Sequence, residues 1–345
     1  MARLGPEEIR ALRAENPKVR ARDFAALHQI AEADLVAATV GHGTVAVTAD
    51  PDRLIPWVGR LGDVLALTRN DHCVHERRGR YSDYRTGPFA AMVLDPEIDL
   101  RIFARHWVHA FAVQDAGADG PRRSLQVFDA AGDAVHKVYL GDQSRHDLWA
   151  DLLNALRLPR QTAVLDLAAR PPVDPARGAR GDAPALRRAW DAMTDTHQFL
   201  GLVKDHGMNR LGAYRAAGAP YVQRLEPEAV TQALHGAAKG QVPVMVFVGN
   251  AGCIQIHGGP IANVVPMGPW INVIDPRFNL HLRADRLAEV YRVWKPTDTG
   301  DVWSVEAFAT EGDLVLQLFG YRKNTPAEPW NALVASLPRL EEVPA

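Results

Sequence analysis

The sequence predicts an α+β fold built by internal duplication, with helices followed by an antiparallel β-meander in each of two copies. Residues 93–101 (VLDPEIDLR) recur 180 residues later as residues 273–281 (VIDPRFNLH). Further matches at this offset pair Asn70, Cys73, Gly79, Ser124, Phe128, Gly132 and Asp133 with Asn250, Cys253, Gly259, Ser304, Phe308, Gly312 and Asp313. A constant offset of this length indicates a duplicated domain. The strand–helix–strand alternation of a doubly wound sheet is missing from the pattern.

Hydrophobic spacing assigns the elements of each copy in order. Residues 22–41 carry apolar side chains at helical intervals in two groups separated by a polar break, which predicts a helix pair. A DNA-binding helix-turn-helix is the alternative for this pair. Short apolar segments bounded by Gly, Asp and Pro predict strands at residues 64–67, 91–94, 125–128 and 135–139. Residues 129–133 and 309–313 predict matching hairpin turns, and residues 147–158 and 329–337 predict the helices that close the two copies.

A proline-rich segment separates the copies. Residues 170–184 (RPPVDPARGARGDAP) contain four prolines and two glycines, which sustain neither a helix nor a central strand. We therefore predict an N-terminal repeat at residues 1–170, a linker at 171–184 and a C-terminal repeat at 185–345. A length of 345 residues suits two such domains.

Composition indicates an ordinary globular protein in the cytoplasm. Charged residues make up 23% of the chain and its net charge is −2, which argues against a dedicated nucleic-acid binder. The two cysteines occupy equivalent points, and we expect each in the core of its own copy and not in a disulfide. The N-terminus is polar and resembles no signal peptide, and the longest apolar run, residues 242–248, is too short to span a membrane.

The most informative difference between the copies is a histidine at the start of the second. If residues 190–204 form one helix, Trp190, Met193, His197, Leu200 and Lys204 share a face. Gly201 lies one turn beyond His197 and would leave room for a flat object beside the imidazole. A packed core histidine is the alternative. His106 and His109 are spaced i,i+3, but no nearby carboxylates accompany them, so a metal site there is not favoured.

Several long motifs carry a resemblance to a known family. They are residues 193–199 (MTDTHQF), 249–257 (GNAGCIQIH), 266–273 (PMGPWINV), 278–283 (FNLHLR) and 317–322 (QLFGYR). These motifs and the duplication resemble the cytoplasmic heme-handling proteins of bacterial heme uptake, the HemS/HmuS/ChuS family. The resemblance covers nearly the whole chain, and it implies two large antiparallel β-sheets, each flanked by helices.

The resemblance also implies a heme site. It makes His197 the proximal ligand of the heme iron, with Arg101 facing the iron from the other side. It places four residues near the heme propionates or on the pocket wall, and two aromatic residues in the pocket lining: Arg210, Lys295, Gln317 and Arg322, and Phe103 and Phe247. Imidazole is a standard iron ligand, and guanidinium groups suit carboxylates.

One departure from the family pattern concerns heme transfer. Some members carry extra histidines directly after the proximal one, and these take part in passing heme to a partner. Here Gln198 and Phe199 follow His197 instead. His206 is a candidate substitute.

The leading functional hypothesis is a cytoplasmic heme-binding protein of bacterial heme uptake that degrades heme oxidatively and releases iron. Arg101 would assist dioxygen as the catalytic residue, and a reductase or small reductant would supply electrons. The alternative is a non-catalytic chaperone or storage protein, which would partner a heme-uptake transporter or a separate heme oxygenase. A third hypothesis is a duplicated binder of some other small molecule.

Overall fold

A computed structural model describes residues 4–117, 120–178, 183–323 and 325–340. Its α-helices are α1 Pro6–Glu15, α2 Ala21–Leu27, α3 Glu32–Ala37, α4 Pro51–Arg60, α5 Trp149–Leu156, α6 Ala183–Asp191, α7 Gln198–Asp205, α8 Arg210–Ala217, α9 Ala229–Gly240 and α10 Glu328–Ala335. Its strands are β1 Thr44–Val47, β2 Gly62–Arg69, β3 Cys73–Gly79, β4 Tyr84–Arg85, β5 Ala91–Leu94, β6 Asp99–Ile102, β7 His109–Asp115, β8 Arg122–Phe128, β9 Ala134–Ser144, β10 Val222–Leu225, β11 Val244–Gly249, β12 Cys253–Gly259, β13 Val264–Met267, β14 Trp270–Ile274, β15 Phe278–Arg283, β16 Leu287–Lys295, β17 Val302–Ala309 and β18 Leu314–Gly320.

The described strands form two nine-stranded antiparallel sheets. One has the order β1-β7-β8-β9-β2-β3-β15-β14-β13, and the other has the order β10-β16-β17-β18-β11-β12-β6-β5-β4. The prediction of an α+β fold with two large antiparallel sheets flanked by helices is therefore confirmed. None of the helices in the described ranges has the length and hydropathy needed to span a membrane.

The duplication extends to the register of the strands. In the first copy Phe111 pairs with Gln126, and Gln126 pairs with Lys137. The residues 180 positions later pair in the same way: Tyr291 with Glu306, and Glu306 with Gln317. An irregularity in the β8–β9 pairing, between Val127 and Phe128, also recurs in the β17–β18 pairing between Ala307 and Phe308. The repeat in the sequence is thus a repeat of hydrogen-bonded structure.

The repeated Asn and Cys residues are explained by two matching turns. The Asn70 side-chain oxygen accepts from the backbone N of His72 (3.0 Å) and of Cys73 (2.9 Å), which shapes the β2–β3 turn. Asn250 makes the same contacts to Gly252 (2.9 Å) and Cys253 (3.0 Å) before β12. An asparagine that caps such a turn places the following cysteine at the start of a strand with its side chain buried.

The described chain divides into two compact units, and each contains a short segment of the other sequence copy. Unit 1 holds residues up to Arg69 with His75–Pro171 and Gly249–Gln255, and unit 2 holds Asn70–Val74, Pro172–Val248 and the residues from Ile256 onward. The free thiol of Cys73 consequently lies in the core of unit 2, and that of Cys253 lies in the core of unit 1. The prediction that each cysteine sits in the core of its own copy is wrong, because an offset of 180 residues identifies equivalent positions but not the unit they join.

In unit 2 the sheet has helices on both faces. On one face, alternate buried residues such as Val244, Val246 and Val248 pack against α9 and α10. On the other face, α6, α7 and α8 pack against Tyr291, Val293 and Phe308 through an aromatic core. The period of two along each strand sends successive side chains to these two faces. The second face carries the candidate site.

The predicted secondary structure is largely confirmed. The helix pair at residues 22–41 is α2 and α3, the four predicted strands lie within β2, β5, β8 and β9, and the closing helices are α5 and α10. Both predicted hairpin turns form, and each uses a glycine with positive φ, 83° at Gly132 and 99° at Gly312. Residues 170–178 of the predicted linker contain no helix or strand, residues 179–182 lie outside the described residues, and Ala183 already begins α6.

Each unit buries one carboxylate between a lysine and an arginine. In unit 1, Glu32 pairs with Lys137 and Arg69. In unit 2, Glu306 accepts from Lys295 Nζ (2.8 Å) and Arg210 Nη1 (2.9 Å), and its side chain is fully buried. Burial tends to raise the pKa of Glu306, but the two cations outweigh burial and hold that pKa at about 2.

We predict that Glu306→Gln destabilises the protein by about 3 to 5 kcal/mol, because it leaves two cations without a buried counter-charge. Urea unfolding followed by circular dichroism measures this loss. Asp285→Asn is the matched control, since Asp285 pairs with Arg283 and Arg286 at a partly exposed site, and it should cost less than about 1 kcal/mol. Equal losses in the two variants would contradict a special role for the buried carboxylate.

The same carboxylate predicts a dependence of stability on pH. Because the pKa of Glu306 is lower in the folded chain than its usual 4.5, its contribution is complete above that pH and is lost as the pH falls toward about 2. The urea midpoint of the wild-type protein should therefore fall more steeply than that of Glu306→Gln over this acid range. Parallel curves for the two proteins would show that the ion pairs do not govern acid stability.

Candidate functional site

The candidate site begins at a break between two helices. The sequence pattern predicts one helix over residues 190–204, but α6 ends at Asp191 and α7 begins at Gln198. His197 is the residue that caps the start of α7. The single-helix prediction is wrong because local side-chain hydrogen bonds in residues 194–198 compete with helical ones, as Asp and Thr side chains commonly do.

Two side chains shape this loop. Gln198 Oε1 accepts from the backbone N of Thr194 (2.9 Å) and of Asp195 (3.3 Å), and its Nε2 donates to Thr194 Oγ1 (3.1 Å). Asp195 Oδ1 accepts from the backbone N of His197 (2.8 Å). These bonds fix the backbone on both sides of Thr196. The loop therefore holds His197 in a defined position at the start of α7.

The imidazole of His197 is held by a carboxylate and is otherwise open to solvent. Its Nδ1 lies 2.6 Å from Asp195 Oδ1, and 92% of the side chain is exposed. Hydrogen bonds from the backbone and side chain of His197 hold the pKa of Asp195 below its usual range. An ionised carboxylate only accepts, so the neutral imidazole must carry its proton on Nδ1 and its lone pair on Nε2. That lone pair is what a metal ion needs.

The outer face of α7 suits a flat apolar ligand. Leu200 is 59% exposed, and a Cβ added at Gly201 would meet no atom within 4 Å. The inner face buries Phe199 and Val203. The ring centre of Phe199 lies 4.9 Å from that of Trp190 and 5.5 Å from that of Tyr214. Phe199 thus anchors the helix, while His197, Leu200 and Gly201 remain accessible.

Strands β11, β18 and β17 carry a row of half-buried and buried side chains on the sheet face that packs against α6, α7 and α8. Glu306 pairs with Gln317 across β17 and β18, and Gln317 pairs with Phe247 across β18 and β11. Residues that pair directly in an antiparallel ladder point to the same face. Phe247 also packs against Phe319, with ring centres 5.1 Å apart. Gln317 and Phe247, both expected in the pocket, are therefore neighbours.

Arg210 and Lys295 are also brought together, but their charges are engaged. Arg210 begins α8, and its Nη1 donates to Tyr214 Oη (3.0 Å) as well as to Glu306. Lys295 Nζ contacts Tyr214 Oη (3.2 Å) and is 4.7 Å from the centre of the Phe199 ring. Burial outweighs the attraction of Glu306 and lowers the pKa of Lys295. Both residues pack beneath α7, and the charge of each is paired with Glu306.

Arg322 is the exposed cation of the predicted set. Its Nη2 donates to Thr299 Oγ1 (3.1 Å), which is a neutral partner. It also borders a shallow surface cleft whose lining includes Trp303 and Trp330. This guanidinium retains its charge for an anionic group.

Arg101 and Phe103 belong to unit 1. Arg101 lies on β6, is partly exposed, and pairs with Asp99 two residues earlier on the same strand. Burial raises the pKa of Asp99 despite the nearby guanidinium. Phe103 follows the strand, is half-buried, and its backbone N donates to Gly252 O (3.0 Å).

His206 does not lie beside His197. It ends α7, and its Nδ1 lies 2.9 Å from Leu202 O. The two histidines are nine positions apart, which corresponds to roughly 13 Å along a helix axis. The suggestion that His206 replaces the extra histidines of relatives is therefore not supported by its position.

Asp195, Tyr214 and Glu306 contribute to this site and were not identified from the sequence. Asp195 had a local signal, because an aspartate two residues before a histidine can bond both its backbone and its ring. Glu306 had none, because its partner Arg210 is distant in the chain. Tyr214 lies four residues from Arg210, but its contact with Lys295 depends on how α8 packs on the sheet.

Comparison with known proteins identifies the family. The sequence model of the haemin-degrading HemS/ChuX domain matches residues 29–156 and 207–337. The hemin transport protein HmuS of Yersinia pestis is 38% identical over 330 residues, which cover 94% of each chain.

Solved structures give the same relationship. Holo-PhuS, a heme-binding protein from Pseudomonas aeruginosa, is 44% identical with a TM-score of 0.92, over 98% of this chain and 100% of that chain. ChuS, a heme oxygenase from Escherichia coli, is 34% identical with a TM-score of 0.84, over 94% and 98% of the two chains. The chain therefore belongs to the HemS/ChuX domain family.

Proposed function

We propose that this protein binds heme with His197 as the axial ligand of the iron. The observation that carries the proposal is the exposed imidazole whose Nδ1 is bonded to Asp195, which leaves the Nε2 lone pair for a metal. A carboxylate behind the ligating histidine is the usual arrangement in metalloproteins. Heme iron accepts such a ligand, and the relative PhuS is a heme-binding protein.

The surroundings of His197 fit a porphyrin. The open space at Gly201 and the exposed Leu200 provide an apolar surface one turn from the ligand. Gln317 and Phe247 are proposed as further wall residues, and Phe103 retains the lining role that the family resemblance implies. Burying roughly 400 Å² of macrocycle would contribute on the order of 10 kcal/mol before the costs of association.

For the propionates we propose Arg322. Among the described residues, its Nη2 atom donates only to two oxygens of Thr299, and both are uncharged. The full positive charge of Arg322 is therefore available to a carboxylate. Arg210 and Lys295 share Glu306, and we assign them to the support of α7. Their combined charge with Glu306 is still +1, which favours an anionic group nearby.

We further propose that the bound heme is degraded oxidatively, with Arg101 assisting dioxygen through its guanidinium. Oxidative cleavage consumes electrons, so a reductase or a small reductant is a proposed partner. The relative ChuS is a heme oxygenase, which favours this reading. Cytoplasmic placement and a role in bacterial heme uptake are part of the same proposal.

A second candidate function is heme delivery without catalysis. The curated relatives from Yersinia pestis and Yersinia enterocolitica are both hemin transport proteins, and this observation favours it. Such a protein would receive heme from an uptake system and pass it to a separate oxygenase. Both candidates use the same ligand.

We predict that His197→Ala weakens heme binding by roughly tenfold or more, because the variant loses its bond to iron. Absorbance titration with heme measures the affinity and the Soret position. His206→Ala is the matched control, and it should change the affinity by less than about twofold because the ring is bonded to the end of its own helix. Equal effects of the two substitutions would contradict the assignment of His197.

We predict that the heme-loaded protein consumes its heme in air with ascorbate and that catalase does not prevent this loss. Arg101→Ala should slow the loss roughly tenfold or more while changing heme affinity much less. Arg85→Ala is the control, since Arg85 also pairs with an aspartate two residues earlier in unit 1.

The measurements are loss of the Soret band, oxygen consumption and release of iron. If catalase abolishes the loss, free peroxide causes it and the delivery function is favoured. Unchanged turnover in Arg101→Ala would remove the proposed catalytic role of that residue.

A further inference from the structure

We infer that Asp195 is a positioning residue that selects the Nδ1-protonated tautomer of His197 and strengthens Nε2 as a donor to iron. This inference rests on the proposed heme-binding function. It concerns a residue that acts on the ligand and does not touch the iron.

The geometry of Asp195 is that of a double acceptor. A single oxygen, Oδ1, accepts from the backbone N of His197 at 2.8 Å and lies 2.6 Å from Nδ1 of the same residue. The backbone bond fixes the carboxylate relative to the main chain, and the ring bond then fixes the imidazole relative to the carboxylate. The imidazole cannot rotate about its side-chain bonds without breaking the contact between Nδ1 and Asp195 Oδ1.

Tautomer choice follows from this contact. A neutral imidazole in water populates both tautomers. Only the form with a proton on Nδ1 can donate to a carboxylate that lies beside Nδ1. The Asp195 contact therefore keeps the lone pair on Nε2, the ring nitrogen farther from the backbone. A partial transfer of negative charge from the carboxylate through Nδ1–H also makes Nε2 a stronger donor.

The loop offers a matched control for this effect. Gln198 holds the same loop through Thr194 N, Asp195 N and Thr194 Oγ1, and none of these three hydrogen bonds involves the imidazole. Gln198→Ala should loosen the backbone and leave the carboxylate–imidazole bond in place. Asp195→Ala removes both bonds to Oδ1, whereas Asp195→Asn keeps an oxygen at this position and removes only the negative charge.

The first experiment uses the heme-free protein. Nitrogen-15 NMR of labelled histidine distinguishes a protonated from an unprotonated Nδ1. We expect the Nδ1-protonated form for His197 in the wild-type protein and in Gln198→Ala, and a mixture of both tautomers in Asp195→Ala, which has no acceptor for Nδ1–H. The same tautomer in Asp195→Ala as in the wild type would overturn the inference.

The second experiment uses the heme-loaded protein. Asp195→Asn should weaken ferric heme binding by roughly tenfold, as loss of such a partner commonly does. It should also raise the ferric–ferrous reduction potential, because a weaker donor stabilises the ferric state less. Gln198→Ala should leave the potential unchanged. A potential that shifts equally in both variants would mean that Asp195 only shapes the loop, and it would overturn the inference.

Different experimental results would contradict this inference and the proposed function. If His197→Ala weakens heme binding but Asp195→Ala leaves the tautomer unchanged and Asp195→Asn leaves the potential unchanged, the function stands and the role of Asp195 is overturned. If His197→Ala binds heme as the wild type does, the ligand assignment fails, and the inference fails with it whatever the tautomer is.

Discussion

The fully buried carboxylate of Glu306 is the contact on which the candidate site depends. It joins Arg210 on α8 to Lys295 on β16, and Tyr214 bonds to both cations. The ring of Phe199 lies against these cations, with the Arg210 guanidinium 5.4 Å and Lys295 Nζ 4.7 Å from its centre. Phe199 is one of the two buried residues of α7, so the ionic cluster packs directly against this helix. His197 lies two residues before Phe199, so the cluster also supports the exposed imidazole that we propose as the iron ligand.

This arrangement explains why residues next to His197 cannot act as further ligands. Gln198 uses its side-chain amide to hold the preceding loop, and Phe199 is committed to the aromatic core with Trp190 and Tyr214. The family resemblance implies further histidines directly after the matching one in some members, but this chain uses those two positions for structure. His197 itself remains exposed, with a carboxylate on one ring nitrogen.

The sequence predicted most of the architecture because its signals are periodic. The 180-residue repeat, the alternating strands and the Gly-containing hairpins depend on neighbours in the chain or on a constant offset, and the structure confirms them. The helix over residues 190–204 was wrong because its apolar spacing continues through a loop that Asp195 and Gln198 stabilise by local hydrogen bonds. The partners of Lys295 could not be predicted either, because its pairing with Glu306 depends on strand register, and its contact with Tyr214 depends on helix packing.

The central claim is that the Nε2 atom of His197 bonds the iron of a bound heme. Resonance Raman spectroscopy of the ferrous heme-loaded protein tests it most directly, because the iron–histidine stretching band reports this bond alone. We expect such a band in the wild-type protein, its shift when the histidines carry nitrogen-15, and its disappearance in His197→Ala. A wild-type spectrum without the band, or a band that persists unchanged in His197→Ala, would contradict the account.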